Sequence, residues 1–86
     1  MNEMNEEMLR DMKPQTRQIL KALRAGAVVT SLYAWSEFGI SRLSARIWEL
    51  RHEYGFPVKA MRIKVKTRET GERFAIVTGY YMEDMA

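Results

Sequence analysis

The chain has 86 residues, of which 47% are hydrophobic and 29% charged, and it contains no cysteine. That size sets one domain with a modest core, and the composition is that of an ordinary soluble protein rather than a disordered or membrane-embedded one. No apolar run approaches the roughly 20 residues of a membrane span, and without cysteine there are no disulfides or thiolate metal sites, as suits a reducing cytoplasm.

Charge is unevenly distributed. Residues 1–12 hold Glu3, Glu6, Glu7 and Asp11 against Arg10, a net of −3. Residues 13–82 hold 13 Lys and Arg against five Glu, a net of +8, and Glu83 and Asp84 make the tail acidic. A folded body with that excess attracts polyanions by counterion release. A surface that is merely rich in Lys and Arg has the same composition.

The chain divides into an acidic, Met-rich extension (1–13), a basic domain (14–82) and an acidic tail (83–86). The extension resembles neither a secretory signal nor a transit peptide. Met4, Met8 and Met12 recur every four residues beside Leu9, one narrow apolar stripe on a helix. The extension is either frayed or docked, as a packing or dimer contact.

The first predicted helix covers residues 16–25, with Thr16 as N-cap, Ile19, Leu20 and Leu23 inward, and Gly26 as the left-handed C-cap. Ala27-Val28-Val29 is extended and suits one edge strand. A second helix starts at Thr30 or Ser31. Leu32, Trp35 and Phe38 fall at i, i+3 and i+6, which reads as core rather than a ligand platform. Gly39 ends this helix with positive φ, and Ser41 is a fresh N-cap. So short a connection makes the two helices cross steeply, the helix-turn-helix arrangement.

The third helix covers residues 42–54, with Leu43, Ile47, Leu50 and Tyr54 as a strong inward stripe. Gly55 and Pro57 end it. Period two then takes over. Met61, Ile63 and Val65 alternate with Arg62, Lys64 and Lys66, a half-buried strand with a basic outer face. Glu69-Thr70-Gly71-Glu72 is a turn, and residues 74–82 return as the second strand. A four-residue loop turns Phe74 and Ile76 inward, whereas a three-residue loop with a bulge turns Ala75 and Val77 inward. The first is preferred because it buries more apolar surface. Helix, short strand, helix, helix and hairpin make an α+β fold, the winged helix-turn-helix: three helices and a C-terminal β-hairpin wing.

The stretch Phe38-Gly39-Ile40-Ser41-Arg42-Leu43-Ser44-Ala45-Arg46-Ile47-Trp48-Glu49-Leu50-Arg51 resembles the core motif of a family of small helix-turn-helix domains common in bacteriophages and prophages. Its members read roughly FGI-S/T-R-L-A-A-R-I-x-x-L-R, followed by a glycine step and a basic hairpin. Here the step is Gly55-Phe56-Pro57-Val58, and the resemblance covers about residues 16–82. It implies double-stranded DNA as partner and a phage or bacterial setting, hence the cytoplasm of a bacterial host cell. Trp48 stands at a position that varies in the family.

In such a fold the amino end of the second helix of the motif reaches base edges in the major groove. The Leu43/Ile47/Leu50/Tyr54 stripe puts Ser41, Ala45, Trp48, Glu49 and His52 on the far face, flanked by Arg42 and Arg46. Either arginine can donate two hydrogen bonds to guanine, or merely pair with a carboxylate such as Glu49. Ser41 and Ser44 are short donors to phosphate or bases, Ala45 can touch a thymine methyl, and Glu49 can accept from cytosine or simply be solvated. Lys64, Lys66, Arg68 and Arg73 form a basic wing tip for backbone or minor groove, although a basic strand face also blunts a sheet edge.

Trp48 needs a cover: the Met stripe, a second protomer, or the edge of the first helix. Homodimerisation through the Met stripe and Trp48 is therefore an expectation. His52 is the only histidine and reads as a surface residue, so no metal site, cofactor or catalytic group is expected. The rival to DNA binding is a protein-interaction module that inhibits or recruits a host protein, with the Met stripe and Trp48 as its working surface.

Overall fold

The computed structural model describes residues 10–66 and 74–83. In chain order these form α1 (Pro14–Arg24), α2 (Ser31–Phe38), α3 (Leu43–His52), β1 (Lys59–Lys66) and β2 (Phe74–Tyr81). The three helices and an antiparallel hairpin make the expected α+β winged helix-turn-helix. The Met4, Met8 and Leu9 part of the stripe, the 69–72 turn, Arg68, Arg73 and Asp84 lie outside the described residues.

α1 begins two residues earlier than expected. Pro14 takes the first helical position, where its missing N–H costs nothing, and Lys13 is extended before it. Thr16 is therefore not a cap but a fully buried residue inside the first turn. Ala27 N–H donates to Ala22 O and Gly26 N–H to Leu23 O, closing the helix with paired carbonyls.

Thr30 caps α2 by accepting from the Tyr33 N–H at 3.1 Å. The inward face of α2 is a correction. Ala34 is fully buried, while Leu32 and Trp35 are 72% and 58% exposed. Both faces of this short helix are apolar, so spacing alone sets no phase. The small Ala34 lets the backbone approach the core, and Tyr33 and Phe38 close its edge with rings 6.0 Å apart, edge to face. Gly39 then turns left-handed at φ 70°, as expected.

α3 is shorter than expected at both ends. Its N-cap is Arg42 rather than Ser41, with no side-chain capping bond, and it stops at His52. Leu43, Ile47 and Leu50 are buried as its spacing requires, and Tyr54 is half-buried. They meet Ile19, Leu20 and Leu23 of α1, with Ile40, Val58 and Met82 closing the core. Met12 also lies in this core, so that member of the Met stripe is used internally.

The hairpin pairs Lys66 with Phe74, Lys64 with Ile76, Ile63 with Val77 and Met61 with Gly79. The connection 67–73, on which the two expected loop lengths turn, lies outside the described residues. Ala75 and Val77 share the face of Ile63 and Val65, and Phe74 and Ile76 share the basic face, the reverse of the preferred reading. Gly79 decides the phase. A Cβ there would lie 2.5 Å from Ile63 Cδ1 and 2.7 Å from Val28 Cγ1, so this point of the strand needs a residue without a side chain. The expected edge strand is one bridge: Val29 and Tyr80 exchange backbone hydrogen bonds of 2.8 and 2.9 Å.

Candidate nucleic-acid interface

The amino ends of α2 and α3 converge on one side of β2. Between them lies a concavity lined by Ser31 and Leu32 of the α2 start, Ser41, Arg42 and Ser44 of the α3 start, and Thr78 and Tyr80 of β2. Five hydroxyls, a guanidinium and the positive end of the α3 dipole thus share one opening. These are donors, suited to phosphate oxygens and base acceptors. Ser41, Arg42 and Ser44 are exposed, and Ala45 is half-buried.

Two residues expected beside them face elsewhere. Glu49, expected on the outward face, is 8% exposed and turned toward α1. Its carboxylate accepts from Thr16 Oγ1 at 2.5 Å, Lys13 Nζ at 3.1 Å and Arg46 Nη2 at 3.1 Å. Burial disfavours its ionised form, but the Thr16 and Lys13 hydrogen bonds and the positive charges of Arg46 and Lys13 together outweigh burial and hold the carboxyl below its usual range. Arg46 donates its other terminal nitrogen to Gln15 Oε1 at 3.1 Å. Arg46 and Glu49 therefore fasten α3 to α1. The seam is turned away from the opening because positions 46 and 49 lie one turn apart on the flank that meets α1.

Trp48 stays half-exposed on α3, stacked against His52 with ring centroids 4.9 Å apart. Among the described residues no group of His, Asp or Glu could hold a metal ion.

The wing is joined to α3 through a residue that spacing did not single out. Arg51 donates from Nε to the Val58 carbonyl at 3.0 Å, and its guanidinium lies 5.7 Å from the centre of the Tyr80 ring. A basic residue in the last helical turn, four positions before Gly55, was the available signal. Thr78 was missed because an isolated threonine on a strand carries no pattern. It pairs with Arg62, and from there Lys64 and Ile76, then Lys66 and Phe74, continue the same sheet face outward. Lys64 and Lys66 are exposed on that face, beyond the concavity rather than within it. No helix among the described residues is long and apolar enough to cross a membrane.

No curated protein and no solved structure matches the chain. A family model described as a winged helix-turn-helix domain matches residues 14–85, a span that takes in all three helices and the wing. That fold is typically a non-enzymatic DNA-binding one, and the convergence of helix amino ends, hydroxyls and cations is of the kind it uses. The chain belongs to the winged helix-turn-helix domain family.

Proposed function

We propose that this chain is a small DNA-binding regulator that sets the amino end of α3 in the major groove and its wing against the adjoining backbone. The observation that carries the reading is the shared opening of Ser41, Arg42, Ser44 and Thr78, with Arg62, Lys64 and Lys66 continuing outward along the wing. Arg42 is the base-reading residue, with two donors for a guanine edge, and Ser41 and Ser44 hold phosphate at the uncapped start of α3. Ala45 meets a thymine methyl. Arg46 has a smaller part, since two of its nitrogens are already engaged, and Glu49 supports the helix rather than touching a base. Lys64, Lys66, Arg68 and Arg73 bind the backbone.

The resemblance to phage and prophage helix-turn-helix domains favours a viral or prophage regulator acting in the bacterial cytoplasm without catalysis of its own. A single reader this small covers few base pairs, so two copies on a paired site are part of the proposal. Sedimentation showing one copy on DNA at high concentration would remove that part.

The test is fluorescence anisotropy of a labelled random duplex at several salt concentrations. Micromolar or tighter binding that falls steeply with salt, and is weakened by Arg42→Ala, is the expected result. No binding at about 50 mM salt would turn the reading to the protein-interaction alternative. That alternative rests on the exposed Leu32 and Trp35 of α2 together with Trp48.

A further inference from the structure

We infer that the wing carries an apolar wedge, Phe74 and Ile76, that enters the DNA minor groove and bends the duplex while Arg62, Lys64 and Lys66 hold the phosphates beside it. This inference rests on the DNA-binding reading and adds a deformation of the DNA to it.

Phe74 and Ile76 are 55% and 53% exposed, and they stand on the same sheet face as three cations. Two large apolar side chains on the outer half of a wing are costly in water unless something meets them. Their neighbours say what that is. Ile76 pairs across the strands with Lys64, and Phe74 with Lys66, while the Lys64 ammonium lies 5.0 Å above the Phe74 ring. Apolar groups fenced by cations do not suit the centre of a protein interface, where charge is depleted. They suit a minor groove, whose sugar walls and base edges take apolar side chains between two rows of phosphates.

Position supports the same occupant. Thr78 lines the concavity at the start of α3, and Ile76 and Phe74 follow it outward on the same face at a period of two. A duplex seated on Ser41 and Arg42 therefore runs out along Thr78 to Ile76 and then Phe74. Meanwhile Val58 and Met82, at the base of this same face, are buried in the core. The wedge thus projects from a strand pair anchored in the protein.

The experiment uses the full chain and a 30-base-pair duplex, about three helical turns, carrying a fluorescent donor and acceptor at its ends and A·T-rich flanks. Binding is followed by anisotropy and bending by energy transfer at saturation. Wild-type protein is expected to raise the energy transfer. The Phe74→Thr/Ile76→Thr variant, with strand-compatible residues at exposed positions, is expected to bind about tenfold more weakly, with no rise in transfer and an unchanged salt slope. Lys64→Gln serves as the second variant. It should keep the bend and reduce the salt slope by about one.

Bending that survives the double threonine variant, or wild-type binding without bending, overturns the wedge and leaves the DNA-binding reading standing. Absence of any wild-type binding at low salt overturns both. Loss of the bend in Lys64→Gln as well would assign the deformation to charge and likewise overturn the wedge.

Discussion

Thr16 and Glu49, on α1 and α3, are joined by a 2.5 Å hydrogen bond in which the hydroxyl donates to the carboxylate. Both are buried, so the bond is shielded from solvent and fixes how α3 lies on α1. Thr16→Val and Glu49→Gln are each expected to cost about 1–3 kcal/mol of unfolding free energy. Measured together in urea, the pair should show a coupling of roughly 0.5 kcal/mol or more. Strict additivity would mean that the bond contributes nothing.

The same carboxylate gives the fold an acid-sensitive component. Its pKa in the folded chain lies below its ordinary value of 4.5, so ionised Glu49 stabilises the native state. That stabilisation is complete above the ordinary value and is lost as pH falls through the lowered one. Wild-type stability should therefore drop below about pH 4.5, and the drop should be shallower in Glu49→Gln. Parallel pH profiles for the two proteins would refute the assignment.

Arg42 and Arg46 should separate cleanly. Arg42→Ala is expected to leave stability within about 0.5 kcal/mol and to weaken DNA binding, because its side chain faces the opening. Arg46→Ala should lower stability by about 1–3 kcal/mol, since it strips a partner from Glu49 and from Gln15. Thermal melts alongside anisotropy titrations distinguish the two.

The phase of α2 can be checked by size. Ala34→Leu should cost about 1–3 kcal/mol by overpacking, whereas Trp35→Gln should change stability by no more than about 0.5 kcal/mol. The opposite ranking would restore Trp35 to the core.

Gly79 offers a compensating pair. Adding a methyl there drives against Ile63 Cδ1, so Gly79→Ala should destabilise by about 1–3 kcal/mol. Ile63→Val removes that methyl, and Gly79→Ala/Ile63→Val should recover part of the loss in a thermal melt.

What could be read beforehand followed from strong periodicity. The stripe Leu43, Ile47 and Leu50 has only one inward phase, and Gly39 marks its turn by a conformation few other residues adopt. The failures share a cause, which is two candidate faces of similar polarity. On α2, Leu32 and Trp35 compete with Ala34, and burial went to the smaller side chain because it allows a closer approach. On β2, area favoured Phe74 and Ile76, but the choice was made at Gly79 by contact with Val28 and Ile63. Glu49 was misplaced because its partners Thr16 and Lys13 lie more than thirty positions away, and no local pattern announces a partner at that distance. The place of Arg42 and the serines at the helix start followed from the sequence, whereas the approach of Thr78 and Arg51 depended on where the wing folds back.

The Val29–Tyr80 bridge bears on the order in which the molecule assembles. β1 and β2 can zip from their own turn, but Val29 meets Tyr80 only after most of the chain has been brought together. The angle of the wing is thus set by a late, long-range closure rather than by the hairpin itself. The two hydrogen bonds of the bridge break together, so the amides of Val29 and Tyr80 should exchange with solvent as one unit. In such a protein the helices can be native while the reach of the wing is not yet defined.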